Sequence, residues 1–133
     1  MGELWAIILA AGESKRMGSP KMLLDFKSGT MIEKVIANVK DSKVSNIMVV
    51  LGAYKEAIID QIGKLTVKFC YNDNYKEGML SSVQCGFRNI PSDCKAVLVF
   101  QGDQPLITPS VINTVIEAYW MSGKGIIIPV YMS

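Results

Sequence analysis

Leu4-Trp5-Ala6-Ile7-Ile8-Leu9-Ala10-Ala11-Gly12-Glu13-Ser14-Lys15-Arg16-Met17-Gly18-Ser19-Pro20-Lys21 is the stretch from which the rest of the chain can be read. Its first seven residues are apolar without alternation, so the strand they form needs cover on both faces, as strands of parallel sheets do. The run then gives way to small residues, with Lys15, Arg16 and Lys21 around them. Small residues let a ligand approach the backbone closely, and exposed N–H groups can cradle phosphate oxygens. The composition is that of a polyphosphate site, yet it contains neither G-x-G-x-x-G nor G-x-x-x-x-G-K-[ST]. A plain Gly/Ser surface loop with solvated charges is the other reading of the same letters. The position directly after a buried strand weighs against it.

Outward from this stretch, apolar runs alternate with helical patterns. Further strands are expected at Ile47 to Leu51, Val67 to Tyr71, Ala96 to Phe100 and Ile126 to Val130, each apolar on both faces. Helical periodicity marks Thr30 to Val39, Tyr54 to Ile62, Leu80 to Arg88 and Pro109 to Trp120. Thr108-Pro109 supplies an N-cap and a proline at the first helical position, which fixes the start of the last helix. No repeat, low-complexity tract or linker interrupts the alternation. The expected fold is therefore one α/β domain over residues 1–133, a three-layer, mostly parallel open sheet with helices on both faces, Rossmann-like in its winding. In such sheets ligands bind outside the carboxyl ends of the strands.

Two more loops fall at those ends. Gln101-Gly102-Asp103-Gln104-Pro105 sets a lone carboxylate after the fourth strand. Mg²⁺ is usually held by one or two carboxylates plus substrate phosphates, so Asp103 is the candidate metal ligand. An Asp turn before a proline is the plainer alternative. Asn72-Asp73-Asn74-Tyr75-Lys76-Glu77-Gly78-Met79-Leu80-Ser81-Ser82-Val83 runs from a polar loop into a helix. Ser81 and Ser82 there either satisfy free N–H groups at the helix start or hydrogen-bond a bound base or ribose.

Composition bounds what these loops can do. At 133 residues the chain fits one domain and buries a core without staples. With 50% hydrophobic residues, 20% charged residues and a mean hydropathy of +0.27, disorder is excluded. A net charge of +2 argues for neither nucleic acid nor an anionic membrane as partner. The histidine count of 0 removes Ser-His-Asp and Cys-His hydrolysis, H-E-x-x-H zinc chemistry and histidine phosphotransfer. Cys70, Cys85 and Cys94 have no metal-site spacing and read as packing residues in a reducing cytoplasm. The opening Met1-Gly2-Glu3 lacks the basic start of a secretory signal, Leu4 to Ala11 is too short to span a bilayer, and Ala6 stands where myristoylation expects Ser or Thr.

Taken together, the Leu9 to Lys21 signature, Met22-Leu23-Leu24, the Glu77 to Val83 segment and Gly102-Asp103-Gln104-Pro105 resemble the glycosyltransferase-A-like nucleotidyltransferases, most closely the molybdopterin cytidylyltransferase group. Guanylyl-transferring relatives have L-A-G-G and G-P-L-A-G, against Ala10-Ala11-Gly12 and Met79-Leu80-Ser81-Ser82 here. Methylerythritol cytidylyltransferases carry a Gln after the lysine, where this chain has Met22. The resemblance implies transfer of CMP from CTP to the phosphate of a molybdopterin-type acceptor with release of pyrophosphate. It implies that Leu9 and the backbone of Ala10, Ala11 and Gly12 belong to the nucleotide site, with Ser81 and Ser82 lining the base and ribose pocket and Asn72 nearby. Arg16 and Lys21 would hold the triphosphate, and Asp103 would bind Mg²⁺. A terminal phosphate is already largely dianionic at pH 7, so no histidine base is needed.

A sugar-phosphate or guanylyl nucleotidyltransferase is the alternative within the superfamily. A nucleotide-binding module that delivers cofactor, with a molybdenum hydroxylase as candidate client, is the alternative outside catalysis. Family members continue past the fifth strand into a Gly-His-Pro motif and a further acidic residue. The chain ending at Ser133 is accordingly expected to keep the nucleotide half of the site, to lack the acceptor part, to self-associate more readily than a longer form, and to transfer little or no cytidylyl group.

Overall fold

The computed structural model describes residues 3–12, 21–122 and 127–130. In chain order it contains β1 (Leu4–Ala10), a 3-10 turn at Lys21–Leu23, β2 (Asp25–Phe26), β3 (Gly29–Thr30), α1 (Met31–Lys40), β4 (Asn46–Leu51) and α2 (Lys55–Ile62). There follow β5 (Lys68–Tyr71), a 3-10 turn at Tyr75–Glu77, α3 (Met79–Arg88), β6 (Ala96–Gln101), α4 (Pro109–Ser122) and β7 (Ile127–Val130). Five strands form one sheet in the order β5-β4-β1-β6-β7. All four pairings are parallel. The chain winds from β1 to one side, then returns across it to the other, so the direction of winding reverses between β1 and β6. A crevice opens at such a reversal, outside the carboxyl ends of the strands.

The unbroken apolar run of β1 is explained by its place at the centre. Leu4, Ala6, Ile8 and Ala10 point into a core shared with α1, α2 and α4, whereas Trp5, Ile7, Leu9 and the following Ala11 point into a second core capped by α3. Every β1 residue is buried. Helix α1 contributes Ile32, Val35, Ile36 and Val39 to the first core, each such burial being worth roughly 1.5–3 kcal/mol. Its start is set by a capping box in which Thr30 Oγ1 accepts from the Glu33 N–H, while Glu33 Oε1 accepts from the Thr30 N–H at 3.0 Å. At α4 the Thr108 hydroxyl accepts from the Val111 N–H at 3.3 Å, as the Thr-Pro pair predicts.

Three details depart from the sequence reading. Val67 precedes β5 instead of opening it, because its N–H is committed to Leu65 O at 2.9 Å. Within β5 only Cys70 is buried, since this strand lies at the edge of the sheet and has cover only in part. The small antiparallel ribbon β2–β3 was not anticipated, its tip being too short for a strand pattern; Lys27 there takes φ 59°. Ile126 lies outside the described residues.

Candidate functional site

At the reversal point lies a crevice of about 360 Å³. Leu9, Ala11 and Gly12 form its floor; Gln101, Gly102 and Asp103 form the β6 side; Tyr75, Lys76, Gly78, Met79 and Ser82 form the α3 side; Lys21 and Met22 close it. The volume falls in the range of small-molecule sites, roughly 300–1,000 Å³. A Cβ at Gly12 would meet no atom of the described residues within 4 Å.

Packing places the two charged residues. Met22 is buried against the first core, and a Cβ on Gly102 would lie 3.1 Å from Leu9 O and 3.4 Å from Met22 Sδ. Lys21 and Asp103, the sequence neighbours of this packed pair, are thereby brought together, with Nζ 3.8 Å from Oδ2. The Asp103 loop is also fixed from behind, where Asn38 Nδ2 in α1 donates to Pro105 O at 3.0 Å. Asn38 was not singled out by sequence, although a polar residue on the apolar face of an amphipathic helix is a signal that could have found it. On the opposite wall Gly78 takes φ +102°, a conformation that favours glycine, and begins α3 with its first turn facing the crevice. Gln101 Nε2 donates to Met79 Sδ at 3.5 Å and links the two walls.

The expected residues divide as follows. Leu9, Ala11, Gly12, Lys21, Ser82 and Asp103 line the crevice. Ala10 is directed to the opposite core by strand alternation. Ser81 is not among the lining residues; its hydroxyl donates to Gly78 O at 2.7 Å and accepts from Asn72 Nδ2. Asn72 sits behind Ser82, buried. Arg16 lies outside the described residues. Lys76, Tyr75, Met79 and Gln101 are lining residues that the sequence reading did not select.

Among the described residues no group of three or more His, Cys, Asp or Glu gathers that could enclose a metal ion. A single carboxylate beside a crevice large enough for a polyphosphate does fit Mg²⁺ held jointly by protein and phosphate oxygens. Away from the crevice, the Cys70 and Cys85 sulfurs lie 3.7 Å apart between β5 and α3, and burial, with Cys85 adjoining, pushes the Cys70 thiol up to about 12. It stays neutral and packs as an apolar group. No described helix is long and apolar enough to cross a membrane.

A parallel sheet with a lysine-lined crevice at its reversal point, edged by Asp103, defines an α/β protein of the class that binds its ligand outside the carboxyl ends of the strands. The MobA-like NTP transferase domain matches residues 6–133, and the chain belongs to that family. It is similar to the bifunctional protein GlmU of Clostridium kluyveri, with 34% identity over 122 residues that cover 90% of this chain and 26% of the relative. Among solved structures it is similar to a Methanothermobacter nucleotidyl transferase, with TM-score 0.79, 25% identity, and coverage of 86% of this chain and 57% of that one. It also shares its fold with CMP:2-keto-3-deoxy-manno-octonic acid synthetase complexed with CTP, with TM-score 0.76, 20% identity, and coverage of 91% of this chain and 48% of that one. The chain thus spans about a quarter of the curated relative's length (26%). The family is that of MobA-like NTP transferase domains, and none of these relatives singles out the molybdopterin group.

Proposed function

We propose that this chain carries the nucleotide site of a nucleotidyltransferase that moves CMP from CTP to the phosphate of a molybdopterin-type acceptor and releases pyrophosphate. The observation that carries the transferase reading is the approach of Lys21 and Asp103 at the carboxyl edge of the sheet, in the crevice floored by Leu9, Ala11 and Gly12. In the reaction an acceptor phosphate oxygen attacks the α-phosphorus in line. One P–O bond forms, the bond to the bridging oxygen breaks, and pyrophosphate leaves with the electron pair. Lys21, with Arg16 from the signature loop, balances the charge of the triphosphate and of the departing pyrophosphate. Lys76 adds a cation on the opposite wall. Mg²⁺, held with Asp103, would supply further charge neutralisation at the phosphates. Ser82 offers a hydroxyl to the nucleoside. No residue need act as a base, which agrees with a chain holding 0 histidines.

The choice of CTP and of a molybdopterin acceptor rests on Ala11, on Ser81-Ser82, on Lys21-Met22-Leu23-Leu24 and on Gly102-Asp103-Gln104-Pro105. A sugar-type acceptor is the second reading, favoured by the fold shared with a synthetase named for a sugar acid and bound to CTP. Calorimetric titration with CTP, UTP, GTP and ATP, with and without Mg²⁺, tests the nucleotide. Pyrophosphate release with molybdenum cofactor or sugar phosphates, using a chain extended through any downstream coding sequence, tests the acceptor. CTP is expected to bind best, and Asp103→Asn to lose about tenfold or more of the Mg²⁺-dependent affinity, the scale of a charged hydrogen bond. The Lys21–Asp103 pair is partly exposed, so the variant should melt within a few degrees of the wild type. A preference for GTP would overturn the cytidylyl assignment, and unchanged Mg²⁺ dependence in Asp103→Asn would overturn the metal assignment.

A further inference from the structure

Asn72 lies one residue beyond β5, is 4% exposed, and has its N–H and both side-chain polar atoms hydrogen-bonded. Its N–H donates to Leu51 O at 2.7 Å, tying it to the end of β4. Its Oδ1 accepts from the Asn74 N–H at 2.9 Å. A backbone N–H can only donate, so this bond decides which end of the amide is oxygen, and the NH₂ end must face α3. There it meets two hydroxyls, Ser81 Oγ at 2.9 Å and Ser82 Oγ at 3.0 Å.

An amide NH₂ has two protons and no acceptor capacity, so both serines are obliged to accept and each must send its own proton elsewhere. Ser81 has a place for its proton inside the protein, at Gly78 O 2.7 Å away, with Asn74 O at 3.1 Å. Ser82 has none among the described residues, is buried, and lines the crevice. Two adjacent serines on one helix turn are thus given different tasks by one amide.

We infer that Asn72 is a positioning residue that acts through Ser82: by donating to both hydroxyls it turns the Ser82 proton into the crevice, where it meets an acceptor oxygen of a bound nucleoside, a base carbonyl or a sugar oxygen. Asn72 itself does not touch the ligand. The inference rests on the nucleotide reading of the crevice and adds to it the polarity of one contact. A ligand that offers only a donor at that point leaves the Ser82 proton buried without a partner, so the arrangement selects as well as binds.

The test is a double-mutant cycle read by calorimetry, with CTP and Mg²⁺ as the probe. Asn72→Asp preserves shape and the bond from Asn74 N–H but replaces the two donors by an acceptor, so both hydroxyls turn toward it and Ser82 presents lone pairs to the crevice. Ser82→Ala should weaken CTP binding by about tenfold, the scale of one net buried hydrogen bond. Asn72→Asp should weaken it by about as much or more in the wild-type background, and by no more than about twofold when Ser82 is already alanine. A residue that merely held the fold together, or a new negative charge repelling phosphate, would cost the same in both backgrounds. Thermal melting of each variant separates folding loss from binding loss. Should Asn72→Asp fail to fold, Asn72→Ser removes the amide donors without adding charge and completes the same cycle. Additive losses, or undiminished affinity in the Asn72 variants of a chain that binds CTP, would overturn the inference alone. A wild-type chain that binds none of CTP, UTP, GTP and ATP would overturn the nucleotide reading and this inference with it.

Discussion

Single side chains divide here between holding the sheet and facing the crevice, and Cys70 shows how a reactive group is assigned to the first task. Its thiol is buried between β5 and α3 beside Cys85, and desolvation lifts its pKa from 9.0 to about 12. A thiol that ionises at 9.0 when unfolded and near 12 when folded stabilises the fold fully below pH 9. Between those values the unfolded chain has lost the proton that the folded chain keeps, so stability falls as pH rises, by at most about 1.4 kcal/mol per pH unit from this group. Cys70→Ala removes that contribution. Urea unfolding at pH 7 to 11 should show the variant less stable at neutral pH, by about 1 kcal/mol for the lost packing, and the deficit shrinking or reversing above pH 9. A deficit that stays constant with pH would refute the assignment.

At the level of elements, the crevice depends on how closely the loop after β4 approaches the loop after β1. A Cβ on Gly52 would lie 2.7 Å from Ala11 O, 2.8 Å from Ala11 Cβ and 2.9 Å from Tyr75 Cβ, distances that real Cβ atoms do not adopt. The Ala53 N–H donates to the same Ala11 O at 3.1 Å, so the loops are both bonded and in contact. Gly52→Ala must push Ala11 or Tyr75, and both line the crevice. The expected cost is roughly 1–3 kcal/mol of stability, the usual scale of overpacking, together with a weaker nucleotide site. Melting and CTP titration check the two effects. An unchanged melting temperature would mean that the loops are not in contact as described.

Across the whole molecule, the ligand and the fold are linked because the site is assembled from the ends of β1 and β6, the 3-10 turn at Lys21, the loop after β5 and the start of α3. Unfolding disperses all of these, so a nucleotide that binds the native crevice and not the unfolded chain stabilises every element at once. At a ligand concentration of 100 times Kd the gain is about 2.7 kcal/mol, which for a domain of this size raises the melting temperature by roughly 10 °C. CTP with Mg²⁺ should give that rise in scanning calorimetry, and CTP alone a smaller one. A melting temperature indifferent to CTP at concentrations that saturate by titration would contradict binding at this crevice.

Local patterns were enough to place the five strands of the parallel sheet and the four helices to within a residue or two and to point to the loops that border the crevice. Apolar runs, helical periodicity and the Thr108-Pro109 cap are short-range signals, and a parallel sheet needs little more to specify its winding. The expectation that Lys21 and Asp103 belong together likewise came from chain order and resemblance. What the letters could not say is how residues close in sequence divide their work. Ala10 and Ala11 differ only in which side of β1 they face, and the register of the sheet decides that. Ser81 and Ser82 look alike on the page, yet one is bonded to the helix turn and the other lines the crevice, because Asn72 approaches both from a strand end ten residues before Ser82. Asn38 reaches Pro105, 67 residues away in the chain, only once α1 has packed beside the loop after β6. Composition and periodicity are summed along the chain, whereas hydrogen-bond direction and close approach exist only between segments that folding has brought into contact.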